Sequence, residues 1–185
     1  RISVPELNME IPAKKGFSVI ATANTRDKGV NEMSAALKRR FNIVVLPTPA
    51  SLETEIDIVK TRVEQLSGGM ELNASLPESD VVEKVCTIFR ELRNGETCDK
   101  SQKLKTTTGV LSTAEAISLL CGSMALAGSF GNGKVSDEDL AAGLAGAVIK
   151  EEDKDVTAWK EYLENVMKKR GSKWSGLYNA CRELL

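Results

Sequence analysis

The chain has 185 residues, 42% of them hydrophobic and 28% charged, with 25 basic against 26 acidic side chains and a net charge of -1. That is enough apolar sequence for one domain, or one and a half, and too little net charge for a global pull towards nucleic acid. It contains no histidine, so histidine-based triads and most zinc hydrolases are excluded, and Cys86, Cys98, Cys121 and Cys181 form no close pair, so neither a zinc ribbon nor a redox dithiol is suggested.

From Ile2 to Pro12 short β-like pieces flank Glu6-Leu7-Asn8, which predicts a small hairpin; Lys14-Lys15-Gly16 then turns the chain. Phe17, Val19, Ile20 and Ala21 form a nearly continuous apolar run, as expected of a parallel strand covered on both faces. Asn24 follows at its carboxyl end, where open α/β sheets place their ligands. Asparagine there also serves as an ordinary strand cap or turn residue. A short helix is predicted from Met33 to Arg40, capped by Asn31 or Ser34, followed by a second buried strand from Phe41 to Leu46. Pro47-Thr48-Pro49 closes that strand and marks a boundary.

Beyond the prolines the period becomes helical. Ser51 predicts the cap of a helix to about Leu66, with Glu53 and Glu55 favoured by its dipole, and Gly68-Gly69 ends it. A second helix is predicted from about Glu78 to Leu92, with Val81, Val82, Val85, Ile88, Phe89 and Leu92 on its apolar face and Asn94-Gly95 as its stop. Residues 96 to 110 read as polar and irregular. Ser112 opens a third helix and Ser136 caps a fourth; two more are predicted at about Val156 to Lys169 and Ser172 to Leu185. The mixed run from Lys150 to Asp155 reads as a solvated linker, and Lys168-Lys169-Arg170 as a helix end. Trp159 with Tyr162, and Trp174 with Tyr178, stand at helical spacing and read as core anchors.

Gly128 to Lys134, "GSFGNGK", has the glycine and lysine spacing of a phosphate loop. Val135 stands where a magnesium-holding Ser or Thr belongs, a helix precedes the loop instead of a strand, and Asp137, Glu138 and Asp139 crowd the helix start that would accept phosphate. It reads as a glycine-rich connector. No metal site is expected. No apolar run approaches the roughly 20 residues that cross a bilayer, no signal peptide is visible and residue 1 is arginine. The expectation is a cytoplasmic chain, cut from a longer one, with no membrane partner.

The order of apolar strand, Asn24, short helix, Arg39-Arg40-Phe41 and a proline-closed strand resembles the second half of an AAA+ ATPase core, in its MoxR-like branch. The resemblance spans roughly Ile2 to Leu120. It implies an α/β remnant of the core over residues 1–49, an all-α lid over 50–150 and a helical extension over 151–185, mostly helical overall. It assigns Asn24 as sensor 1, which orients the attacking water; an amide suits this because it donates and accepts without adding charge. It assigns Arg40 as the arginine finger acting in trans, with Arg39 as the lesser candidate. The plainer reading of both arginines is a solvated helix end favoured by the dipole.

Two elements of the family pattern are missing. The lid arginine, sensor 2, maps to Ser112-Thr113-Ala114-Glu115, which leaves Ser112 and Thr113 as candidate lid contacts and Lys103 or Lys105 as substitutes. The phosphate loop and the Asp-Glu magnesium pair do not precede Asn24. The implied parent is an ATP- and magnesium-dependent, chaperone-like motor that forms a ring, taken as a hexamer, and remodels a protein or protein complex; this chain alone is expected to be inactive. A nucleic-acid-directed motor and a non-catalytic helical adaptor remain as alternatives.

Overall fold

In the computed structural model, residues 2–23 and 34–185 are described. The chain divides into two compact units, Arg1–Leu46 and Pro47–Leu185.

In the first unit, strands β1 (Ile2–Val4) and β2 (Met9–Ile11) pair antiparallel, with Ile2 opposite Ile11 and Val4 opposite Met9. A 3-10 turn over Pro5–Leu7 joins them, and Asn8 leaves it in the left-handed region at φ 47°, a conformation that asparagine tolerates better than most residues. A short helix α1 (Ala35–Lys38) follows, its start capped by Ser34 Oγ accepting from the Leu37 amide at 3.3 Å. It is shorter than the span predicted to Arg40; Met33 and Asn31 lie outside the described residues.

The two buried strands expected at Phe17–Ala21 and Phe41–Leu46 are not formed. Their side chains face outward instead, with Ile20 94% and Leu46 86% exposed. A strand is defined by the ladder it makes with neighbours, and the described sheet has only β1 and β2.

The second unit is all helical apart from an isolated bridge between Glu96 and Lys103. It comprises α2 (Leu52–Ser67), α3 (Ser79–Asn94), α4 (Thr113–Phe130), α5 (Asp137–Val148), α6 (Glu152–Asn165) and α7 (Ser172–Glu183). A 3-10 turn over Met167–Arg170 separates the last two. Local chemistry explains the starts. Ser51 Oγ accepts from Thr54 N, while Ser112 with Glu115 and Ser136 with Asp139 make reciprocal capping boxes. Helix α3 stops at Gly95, at φ +69°, where a side chain would also meet the Thr106 methyl.

Helix α4 packs against α2, α3 and α5, and α5 packs against α7. By length and composition α4 is apolar enough to cross a membrane, which corrects the sequence expectation. Here Ala116, Leu119, Leu120, Met124 and Ala127 are buried among the other helices, the position of a helix that is apolar around much of its circumference. The core continues through Phe89, Leu92, Leu140, Leu144, Leu163 and Leu177. Trp159 and Tyr162 stack in it with centroids 5.7 Å apart. Trp174 is only partly buried and lies under the Arg170 guanidinium, 4.6 Å from its ring centroid.

Candidate functional site

Asn24 lies outside the described residues. Arg39 and Arg40 follow α1 in a turn closed by Arg39 N to Ala35 O and Arg40 N to Leu37 O at 2.9 Å. Both side chains are exposed, and neither makes a side-chain hydrogen bond or ion pair among the described residues. Arg90, Arg93 and Arg170 are instead all consumed by buried carboxylates. Arg40 thus presents an always-charged planar donor to solvent on a short, locally bonded turn.

The candidate lid residues are engaged within the helical unit. Ser112 Oγ donates to Glu115 Oε2 at 2.9 Å and accepts from Glu115 N at 3.2 Å. Thr113 Oγ1 donates to Glu55 Oε1 at 3.0 Å. Lys103 pairs with Glu96 at 2.8 Å and Lys105 with Glu161 at 2.6 Å, so each candidate replacement for a lid arginine already has a carboxylate partner.

The glycine-rich connector is explained by packing. A Cβ on Gly133, which sits at φ +83°, would fall 2.8 Å from Asn73 O, and one on Gly128 would fall 3.2 Å from the same carbonyl. Gly133 O in turn accepts from Ser75 N at 2.8 Å. The loop is pressed against residues 73–75 and has no room for a phosphate cradle. Gly133→Ala is expected to cost about 1–2 kcal/mol from strain and clash, whereas Lys134→Ala should leave stability and nucleotide binding unchanged; thermal melts and a fluorescent ATP titration of the two variants check this. Residues 128–134 therefore do not fit a nucleotide-magnesium site.

Three buried carboxylates organise the helical unit. Glu55 on α2 receives Arg93 through both oxygens at 3.0 and 2.8 Å, Arg90 at 3.3 Å and the Thr113 hydroxyl. Glu91 on α3 accepts from Tyr162 Oη at 2.7 Å, from Cys98 N at 2.8 Å and from Arg170. Burial and the adjoining Glu91 carboxylate push the Tyr162 phenol well above its ordinary range, which keeps it protonated as the donor.

Asp155 accepts from Thr108 N and Oγ1 and from the amides of Lys150 and Glu151, at 2.7–2.8 Å. The sequence reading of residues 150–155 as a solvated linker is thereby corrected: Asp155 is fully buried and gathers two chain segments. Burial opposes its ionisation, but the hydrogen bonds outweigh it and hold the carboxyl at about 2, below the ordinary 3.8. The folded pKa lies under the unfolded one, so this contribution is complete above about pH 4 and disappears as pH falls towards 2. Asp155→Asn is expected to lower stability by about 2 kcal/mol at neutral pH. The difference should close on acidification, as read by thermal melts between pH 6 and pH 2.

None of these carboxylates was singled out in the sequence as a hub, because an isolated acid on a helix looks the same whether solvated or buried. The signal that was available is the helical phase of Glu91, which lies between the apolar positions Ile88 and Leu92.

Two family profiles match the chain in tandem. One, described as "YehL-like AAA+ ATPase C-terminal domain", covers residues 53–184; the other, "AAA domain (dynein-related subfamily)", covers residues 1–41. A curated relative, "Uncharacterized protein YehL" of Escherichia coli (strain K12), is 35% identical over 185 residues, covering 97% of this chain and 50% of the relative. The chain spans about half the length of that protein. No solved structure matches it.

Proposed function

The chain belongs to the YehL-like AAA+ ATPases, as a C-terminal part of one, and from that premise we propose that it completes an ATP-hydrolysing ring motor of MoxR-like type that remodels proteins or protein complexes. The observation that carries this reading is the position of Arg40. It stands at the end of the segment that matches an AAA domain, just ahead of the helical domain, with its guanidinium exposed and unengaged among the described residues.

A charge held this way is suited to another subunit's site. In this reading Arg40 is the finger in trans, Arg39 its lesser alternative, and Asn24 the sensor at the end of the Phe17–Ala21 run. In this reading nucleotide and magnesium belong to the full-length protein, since residues 128–134, which have phosphate-loop spacing, are packed against residues 73–75 instead. The exposed runs at Phe17–Ala21 and Phe41–Leu46 then take strand neighbours from the rest of that protein. Ser112 and Thr113 act from inside the lid, shaping the start of α4. The ring is taken as a hexamer, acting on protein partners in the cytoplasm without membrane or nucleic acid.

A finger used in trans makes turnover depend on assembly. Phosphate release per subunit by the full-length protein is expected to rise with protein concentration as rings form and then to level off. A rate per subunit that stays constant down to concentrations where sedimentation shows only monomers would overturn the ring reading.

A further inference from the structure

Residues 47–50 lead into α2, and the carbonyls of Pro49 and Ala50 are held by a side chain far away in sequence. Arg90 on α3 donates through Nη1 to Pro49 O at 3.2 Å and through Nη2 to Ala50 O at 2.7 Å. The same guanidinium reaches Glu55 Oε2 at 3.3 Å. Its side chain is 18% exposed and that of Glu55 is 1% exposed. The contacts come from two separate nitrogens of one planar guanidinium, a fork that a lysine ammonium, donating from a single point, does not reproduce.

The Glu55 hub extends to a strained point. Arg93 binds both Glu55 oxygens and donates to Leu111 O at 2.8 Å. Leu111 is fully buried and lies in the left-handed region at φ 47°, where a bulky residue persists only if its surroundings hold it. The next two residues are Ser112, the α4 cap, and Thr113, which also binds Glu55. One carboxylate thus joins the entry into the helical unit with the start of its central helix.

We propose that Arg90 is a positioning residue that clasps the Pro49–Ala50 connection to the Glu55 hub, so that this connection turns with the helical unit and bending is confined to the chain before it. The consequence for turnover rests on the ATPase reading above. A hinge works by concentrating its rotation in a few residues. With the clasp closed, Pro49 and Ala50 move with the helical unit; with it open, they bend as well and the rotation is spread over more residues.

The test uses Arg90→Met, with Arg93→Met as a control that disturbs the same carboxylate but touches no connection atom. In the 185-residue chain the backbone order parameters of Ala50 and Ser51 are expected near 0.85 in the wild type and in Arg93→Met, and below about 0.6 in Arg90→Met. Should Arg90→Met fail to fold, Arg90→Lys keeps charge beside Glu55, lacks the fork, and should show the same loosening. In the full-length protein, Arg90→Met should lower kcat by about threefold to tenfold with KM unchanged.

Order parameters unaltered by either Arg90 variant overturn the clasp. A loosened connection with wild-type kcat overturns its role in turnover. A full-length wild type without hydrolysis overturns the ATPase reading itself and the kinetic consequence with it, a result separate from the order parameters.

Discussion

Replacing Arg40 by alanine in the full-length protein is expected to reduce ATP turnover by a factor on the order of a thousand while leaving nucleotide affinity nearly unchanged. The guanidinium is exposed, follows a single helical turn and has no partner among the described residues, so its loss should disturb no folding contact. A stability change within about 0.5 kcal/mol is the corollary for such a surface position. Arg39→Ala should have much the smaller kinetic effect. Steady-state phosphate release, with melting curves as the control, separates the two. A non-catalytic adaptor would be indifferent to both substitutions, and a reversal of their order would move the finger to Arg39.

The largest stability effect should come from Glu55→Ala. Glu55 is fully buried and neutralises two guanidinium groups, Arg90 and Arg93, whose side chains are 18% and 8% exposed. Removing one partner of a buried ion pair leaves the others desolvated without a counter-charge, at a cost of about 3–5 kcal/mol. Thr113 would lose its acceptor, and Arg93, which donates to the carbonyl of the left-handed Leu111, would lose its counter-charge. A fall of that size in the urea-unfolding free energy of the 185-residue chain is expected. A loss below about 1 kcal/mol would show that water replaces the carboxylate and that the site is not dry.

Why some parts of this molecule are legible in its sequence and others are not follows from how local their causes are. Ser51, Ser112 and Ser136 mark helix starts because a cap is settled within four residues. Gly95 marks a stop because the left-handed C-cap is settled by one. The apolar faces of α3 and α4 follow from period alone. The runs at Phe17–Ala21 and Phe41–Leu46 are apolar but form no strand, because a ladder is a non-local pairing and among the described residues β1 and β2 pair with each other.

The buried carboxylates fail differently. Glu55 reads as a first-turn acid favoured by the helix dipole, which it is, yet its burial depends on Arg90 and Arg93, 35 and 38 positions away. Asp155 reads as part of a charged linker because Thr108, 47 positions earlier, is what buries it. The glycine-rich connector shows the converse error. Its spacing imitates a phosphate loop, but each glycine answers to the carbonyl of Asn73 or of Ala127. For the candidate site itself, Arg40 is legible as an exposed cation after a short helix, while Asn24 rests on the family pattern.

The central proposal is that this chain is a C-terminal part of an AAA+ ATPase whose turnover requires the full-length protein. It is tested most directly by titrating the 185-residue chain with a fluorescent ATP analogue in magnesium and measuring phosphate release in the same tube, beside the full-length protein. The account predicts no saturable binding and no turnover for the chain, and magnesium-dependent turnover for the full-length protein. Saturable binding with turnover by the 185-residue chain alone would contradict it.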